Sequence, residues 1–401
     1  MSGTDVYVGG EFAQAGKVAA NCVAKWNGTT WSALGAGLNG SVHALAVALN
    51  GDLFVGGWFT QAGGAPANYV AKWDGAAWSP LGLGIGAVFG HSPVEALAVS
   101  GSAVYVGGWF TQAGGAPANY VAKWDGAAWS ALGAGLNSPV HALAVTGTSV
   151  YAGGAFTTAG GVAANRIAKW EDGSWSSLST GLLNGEVLAV AVSGTNVYVA
   201  GSFSTAGGVA ARNVAKWNGT VWSPLGPGVD DMVRALVVEG PNVYAGGEFN
   251  RIGGGLPRFI GKWNGTVWES LGNGLNGAVW ALATANNGKV VVGGIFNAVG
   301  FNTKVSYAFG VYHPNLVTSV GNATPTPRLV LYPNPAANNA SLTLAPASQA
   351  RPVVVLDALG RLICTALLPA RASTVVLNLR GLPAGAYLVR CGDAAVRLVV
   401  E

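Results

Sequence analysis

Charge is what this chain has least of. Only 9% of its 401 residues are Asp, Glu, Lys or Arg, against roughly a quarter in ordinary soluble domains. The net charge of +4 is spread thinly, with no Lys/Arg cluster able to follow a phosphate backbone, which argues against a nucleic-acid partner. No stretch reaches the roughly 18 uninterrupted apolar residues of a spanning helix, so no transmembrane segment is expected. Three cysteines, Cys22, Cys364 and Cys391, are too few and too scattered for a disulfide framework or a zinc site. On sequence alone, a Cys364–Cys391 bridge and two buried thiols both stay open. With four histidines and sparse acids, the sequence offers no constellation for catalysis or metal binding. No catalytic residue, metal or cofactor is therefore assigned.

Glycine, by contrast, is abundant at 62 residues, and it is periodic. Seven times an apolar run ends in two small residues, a Gly pair in six cases, with a Phe two positions later: Phe12, Phe59, Phe110, Phe156, Phe203, Phe249 and Phe296. The spacings run from 46 to 51 residues, the period of a β-propeller blade. Residues 94–133 show one repeat. Strand a is Val94–Val99, strand b Val104–Gly108, strand c Tyr120–Trp124 and strand d Trp129–Gly133. A Gly-rich connection, FTQAGGAPAN, joins b to c. Asp125-Gly126 turns c into d, and Asn-Gly or Asp-Gly recurs there in every complete hairpin, as a type I′ turn requires.

Six tryptophan pairs, five residues apart, fix the register, from Trp26/Trp31 to Trp263/Trp268. Burying one indole removes roughly 150–250 Å² from water, about 4–6 kcal/mol as an upper bound. These twelve residues are expected to form most of the packing between blades. Residues Val55–Ser79 and Val106–Ser130 are identical, as a tandem duplication of one blade would leave them. Both ends of the array are incomplete: the first repeat has no strand a and the seventh no strand d. An upstream segment of about 20 residues would supply both and close the open edges. Met1 aligns with Val192 of a later repeat. The reading is thus of a chain that lacks its own N-terminal segment.

Departures from the repeat are where function is expected, on loops held by a rigid scaffold. The b–c and d–a connections share one face. An insertion at Leu83–Pro93 carries Phe89 and His91. Trp58 and Trp109 follow the Gly pair in blades 2 and 3 only. These two indoles are candidate stacking platforms for a carbohydrate or contacts for a protein, with Gln61, Gln112, Asn68 and Asn119 as hydrogen-bonding neighbours. Filling of an inter-blade gap is the competing role. A lysine precedes each first Trp of a pair, and forms either a cationic ring or a set of packed stems. Asp230-Asp231, the densest acidic group of the propeller, reads as a cation ligand or as a solvated turn. His43 and His141 fall on equivalent positions just ahead of strand a, which reads as a feature of the repeat.

The run VGGxFTxAGGxxANxxAKWxGxxW resembles kelch and galactose-oxidase-like propellers, and the repeats of fungal cortical polarity-marker proteins and secreted bacterial relatives. The resemblance covers residues 1 to about 312 and implies fold, since propellers host many activities. Galactose-oxidase-like chemistry implies a copper site of Tyr and His with a Cys–Tyr crosslink. His43, His91, His141 and His313 are the only histidines here and Cys22 the only propeller cysteine, which does not meet that pattern. Gly28–Trp31 resembles the end of a sialidase Asp box, but Trp26 stands where the Asp belongs.

After the repeats, GNATPTP at 321–327 reads as a linker. Seven short strand-like runs follow between Leu329 and Val400, the pattern of a small Ig-like β-sandwich. LYPNPA at 331–336, VLDALGRLI at 355–363, LRGLPAGAYLVR at 379–390 and VRLVV at 396–400 closely resemble the type A sorting domain of the type IX secretion system. That resemblance implies a Gram-negative cell, passage through the periplasm, contact with the type IX machinery, and release or anchoring at the outer surface. Tyr332, Pro333, Asn334, Pro335, Gly360, Gly385 and Tyr387 are then its recognition features. The fold expectation is all-β: a seven-bladed propeller of four-stranded blades, incomplete at its N-terminus, over residues 1–316, a linker at 317–327, and an Ig-like sandwich at 328–401. The functional expectation is a secreted or surface-attached binding or adhesion module for a glycan or protein. A polysaccharide lyase or hydrolase is the alternative.

Overall fold

The computed structural model describes residues 5–87, 93–254, 258–272, 274–284, 289–299, 304–305, 309–312, 330–332, 335–344, 349–357, 361–391 and 394–400. The chain divides into two compact units, Met1–Leu316 and Val317–Glu401; the expected linker lies outside the described residues. Every regular element described is a strand.

In the first unit, blades 2 to 6 are four-stranded antiparallel sheets in the order a-b-c-d. Blade 3, for example, runs Ala96–Ser100, Ala103–Gly107, Val121–Trp124 and Trp129–Ala131. Blade 1 contributes b, c and d (Val6–Gly9, Val23–Trp26, Trp31–Ala33), and blade 7 contributes a, b and c (Val279–Thr284, Val290–Gly294, Phe309–Tyr312) among the described residues. The a strands of blades 2 to 7 contact one another in succession. They therefore line the axis, with the d strands outermost. Trp31 of blade 1 lies edge-on to Phe309 of blade 7, ring centres 5.1 Å apart.

The packing between blades explains the repeated residues. In five blades the second Trp of the pair donates its indole N–H to the carbonyl of the Leu in strand d of the preceding blade: Trp78 to Leu34, Trp129 to Leu81, Trp175 to Leu132, Trp222 to Leu178 and Trp268 to Leu225, at 2.7–2.9 Å. At four of these junctions a Gly follows that Leu and lies beneath the first Trp of the next pair, and after Leu178 Ser179 takes the same conformation, with φ 56°. At Gly133, with φ +58°, a Cβ would stand 3.0 Å from the Trp170 ring. The first Gly of the strand-b pair makes room for the next blade as well: a Cβ on Gly107 would be 2.5 Å from Val140. The close approach favours glycine there, and in blade 5 the small Ala200 fills the place, fully buried.

Three expectations are corrected. The rings of each Trp pair meet at a tilt, 47–57° between planes and 5.2–5.6 Å between centres, yet of the twelve only Trp175 and Trp222 are buried. Most of the inter-blade core is aliphatic and Phe: Phe59, Phe110, Phe156, Phe203 and Phe249 are at most 2% exposed. Second, five of the six c–d turns are four-residue loops, not type I′. Trp26 pairs directly with Trp31, and the Asn27 carboxamide oxygen accepts the N–H groups of Thr29 and Thr30 at 2.9 and 2.8 Å. This Asx geometry needs only the Gly at positive φ. At Asp74 and Asp125 the same backbone bonds hold the carboxyl below the usual range. Blade 4 alone has the two-residue turn, with Asp172 at φ 50° and Gly173 at 80°. Third, the b–c connection is itself a small ribbon, such as Gln61–Ala62 paired with Ala65–Pro66.

The second unit is a two-sheet sandwich. One sheet joins Val330–Tyr332, Asn339–Thr343 and Thr374–Asn378; the other joins Leu362–Leu368, Arg351–Leu356, Gly385–Cys391 and Ala394–Val400. Its core includes Leu342, Val353, Val355, Val389 and Leu398. Cys364 pairs with Val355 and Cys391 with Val353, on opposite flanks of strand 351–356. Two strand spacings, roughly 9.5 Å, exceed the roughly 7 Å Cα separation a disulfide tolerates, and all three cysteines are free.

Two outcomes follow from this packing. Trp175→Phe leaves the buried Leu132 carbonyl without its donor and lowers stability by about 1–3 kcal/mol in urea denaturation; a loss under about 0.5 kcal/mol, ordinary for surface changes, contradicts a structural role for this hydrogen bond. Alkylation in denaturant without reductant labels all three thiols, whereas labelling of Cys22 alone would reveal a bridge that this geometry forbids.

Candidate functional site

The a strands of blades 2, 4, 5, 6 and 7 each carry a β-bulge near their start. In blade 4, Val140 pairs with Gly154 and Ala142 with Gly153, leaving His141 unpaired between them. The bulges leave His43, His141, Leu188, Arg234 and Trp280 at equivalent places, and Glu95 holds the same repeat position in blade 3. The second Gly of the pair permits this. A Cβ on Gly154 would stand 2.1 Å from the Pro139 carbonyl oxygen. Bulges re-aim side chains at barrel rims and active sites, and here they present one residue per blade at the mouth of the axis.

The residue after the Gly pair adds a second tier: Glu11, Trp58, Trp109, Ala155, Ser202, Glu248 and Ile295. Together the tiers collect much of the non-repeating chemistry of the propeller. Twelve of the fifteen tryptophans form the scaffold pairs, and the other three, Trp58, Trp109 and Trp280, all stand here. Trp58 is 42% and Trp280 54% exposed.

Acid and imidazole alternate across five blades in the order Glu11, His43, Glu95, His141, Glu186. His141 Nδ1 bonds Glu95, and its Nε2 lies 3.4 Å from the Glu186 carboxylate, without a hydrogen-bond partner. Trp109 packs against His141, ring centres 6.4 Å apart. His43 bonds the Ser41 hydroxyl at 3.0 Å. Desolvation in the crowded mouth holds the His43 imidazole below its ordinary pKa, opposed by the charges of Glu95 and Glu11. Arg234 pairs with Glu248 at 2.6 Å.

A third tier is the residue just before strand c. Cys22, Tyr69, Tyr120, Arg166, Asn213 and Phe259 all have φ between 62° and 68°, a left-handed conformation unusual for such side chains. Strand c of blade 3 accordingly begins at Val121, one residue later than expected, because Tyr120 is one of them. Tyr69 lies beside Trp58, ring centres 6.2 Å apart. Arg166 donates to the carbonyls of Gly185, Ala155 and Phe156.

The sequence candidates fall as follows. Trp58 and Trp109 stand on the mouth, Trp58 open and Trp109 half-buried. Gln61 and Gln112 are exposed on the ribbons. Gln61 borders a cleft of about 440 Å³ between blades 1 and 2, and Gln112 pairs with Gly86 of the insertion, whose Ile85–Ala87 adds a strand to the blade 3 ribbon. Asn68 and Asn119 donate to the backbone carbonyls of Leu83 and Ala134 at 3.0 and 3.1 Å. Asn21 and Asn165 make the same bond in their own blades. Phe89 and His91 lie outside the described residues.

Asp230 accepts the N–H groups of Asn250 and Arg251, as Asn39 and Asn137 do in their blades; this is its place in the repeat. Each lysine of strand c faces a residue of strand b, as Tyr151 faces Lys169. Lys25, Lys72, Lys169 and Lys262 are ion-paired at 2.7–3.3 Å. A second cleft, about 300 Å³, opens between blades 2 and 3 beside the Lys72–Asp52 pair.

The mouth's imidazole–carboxylate arc is hidden in the sequence because His43, Glu95 and His141 are spaced about one repeat apart and come together only across neighbouring blades, as Glu95 and His141 do. The shared repeat position was the available signal.

Among the sandwich residues, Tyr387 is 9% exposed and its hydroxyl donates to the Pro383 carbonyl at 2.8 Å, in the manner of a tyrosine corner. Gly385 opens the same strand. Tyr332 lies on the first strand of the unit and Pro335 is exposed. Pro333, Asn334 and Gly360 lie outside the described residues.

His43 gives the mouth a measurable pH signature. Its folded pKa lies below its unfolded value of about 6.5, so the unfolded chain binds the extra proton and stability falls as pH drops through that window. Between about pH 7.5 and 5.5, urea titrations are expected to show a smaller decline for His43→Gln than for the parent chain. Equal declines would contradict the assignment.

Comparison with known proteins bears on both units. Residues 330–400 match the Secretion system C-terminal sorting domain. No curated protein matches the chain. Among solved structures, it is similar to the computationally designed Ika4 protein at 20% identity and TM-score 0.30, over 45% of this chain and 93% of that one. It is similar to YCF48 bound to D1 peptide at 11% identity and TM-score 0.33, over 91% and 94%. It is similar also to a fungal alcohol oxidase of the AA5 family in complex with copper, at 11% and 0.43, over 94% and 90%. The first unit, built of four-stranded antiparallel blades, is a β-propeller, and residues 330–400 form a secretion system C-terminal sorting domain, the mark of export by the type IX route to the cell surface or the medium.

Proposed function

We propose that the propeller is a glycan-binding module delivered outside the cell by its sorting domain, and that the axial mouth is the binding surface. One observation carries this reading: the three tryptophans outside the scaffold pairs all stand on the same ring, with Trp58 and Trp280 open to solvent. An exposed indole gives a sugar ring an apolar face to stack on, and carboxylate and imidazole neighbours supply the hydrogen bonds that set orientation. The elements beneath are rigid, so the surface is pre-formed and loses little conformational entropy on binding. Gln61 and Gln112, exposed on the flanking ribbons, extend the surface outward. Asn68 and Asn119 support it by fixing the d–a connections. In the sandwich, the exposed Pro335 and the strand carrying Gly385 and Tyr387 are the proposed contacts for the export machinery.

The test is a glycan array on the full chain, followed by titration of the best oligosaccharide. Loss of one stacking platform is worth about 1–3 kcal/mol, so Trp58→Ala or Trp109→Ala should weaken binding roughly ten- to a hundredfold with the blades intact by circular dichroism. Unchanged affinity in both variants sinks this choice of surface. Turnover of the bound oligosaccharide would replace a binding module by an enzyme.

A further inference from the structure

The charge of the mouth narrows the class of glycan, an inference that rests on the glycan reading above. Glu11, Glu95, Glu186 and Glu248 reach the ring; on the three tiers, among the described residues, the lysines and arginines are Arg234, paired with Glu248 at 2.6 Å, and Arg166, whose guanidinium donates to the carbonyls of Gly185, Ala155 and Phe156. Among the described residues, Glu11, Glu95 and Glu186 form no ion pair with a lysine or arginine. Two of them are held by one imidazole, since His141 bonds Glu95 and lies 3.4 Å from Glu186. The acidity is local: residues 1–316 carry 14 Lys or Arg and 14 Asp or Glu, and the strand-c lysines sit in another layer of the blades, four of them ion-paired there.

The aromatic groups point independently to the same ligand. An indole face attracts a cation through its quadrupole, and three indoles share this ring with the carboxylates. A uronic acid or sulfated sugar would meet repulsion here, and a neutral sugar would leave the carboxylates without counter-charge. We propose that the axial mouth selects glycans bearing free, protonated amino groups, the ammonium lying between an indole face and the Glu95–His141–Glu186 arc. Burial holds the His43 imidazole below its ordinary pKa, against the pull of Glu95 and Glu11.

Calorimetry on the full chain in mildly acidic buffer tests this with four probes: a β-1,4-glucosamine hexamer, its fully N-acetylated form, an oligogalacturonate of the same length, and hexalysine. The glucosamine hexamer is expected to bind at least about tenfold tighter than the acetylated one, a difference of roughly 1.4 kcal/mol, and the galacturonate not detectably. The preference should shrink with added salt and fall towards unity in Glu95→Gln/Glu186→Gln. Should that pair fail to fold by circular dichroism, the exposed Glu11→Gln serves, with a smaller reduction expected. Equal or tighter binding of the acetylated hexamer overturns the amine preference while leaving the glycan reading standing. A preference that survives in the folded double variant also overturns it. Binding of none of the sugars overturns both, and hexalysine binding tighter than every sugar transfers the mouth to a cationic peptide.

Discussion

Each complete blade is bolted to its predecessor by one indole N–H. The donor is the second tryptophan of the pair, the acceptor the carbonyl of the strand-d leucine behind it, and the distance is 2.7–2.9 Å at five junctions. The bond is small in net energy, about 1 kcal/mol, but it is directional and fixes the angle at which one sheet meets the next. The aliphatic and Phe core between blades then supplies the cohesive energy, being non-directional. Small residues complete the lock: in most blades the residue after the leucine and the first of the strand-b pair are glycines packed tightly against the next blade, with Ser179 and Ala200 the exceptions.

That fixed angle brings side chains from different blades together at the axis. No single blade contains a site. His141 of blade 4 meets Glu95 of blade 3 and Glu186 ahead of blade 5 only because three blades hold their spacing. The bulges in strand a and the left-handed residue before strand c are the local devices that turn repeat positions outward. They recur in nearly every blade, so the backbone of the site is as regular as the scaffold, and its specificity lies in which side chain each blade places on the shared geometry.

Much of the fold was legible because it is written in residue types with strong local meaning. Gly pairs, Trp pairs and a 46–51-residue period give blade number and strand order. The turns were legible only in part. Asn-Gly and Asp-Gly mark the bend, but the direct pairing of Trp26 with Trp31 decides that it is a four-residue Asx loop. The conformation of Tyr69, Tyr120 and Arg166 could not be read, because nothing in a tyrosine or arginine announces positive φ. Trp58 and Trp109 stood out as departures from the repeat. His43, Glu95 and His141 did not, since their shared position looked structural, and their contact depends on closure of distant segments. In the sandwich, strand pattern sufficed for the fold, while the cysteine question required the register that places strand 351–356 between Cys364 and Cys391.

The central claim is that a rigid tryptophan scaffold carries a chemically separate tryptophan ring at its axis. Fluorine NMR of the full chain labelled with 5-fluorotryptophan tests this directly, each of the fifteen indoles giving a resonance that can be assigned by Trp→Phe substitution. On titration with the glucosamine hexamer, the account predicts that Trp58, Trp109 and Trp280 move and the twelve scaffold resonances stay in place. Movement confined to the scaffold indoles, with those three unmoved, would contradict it.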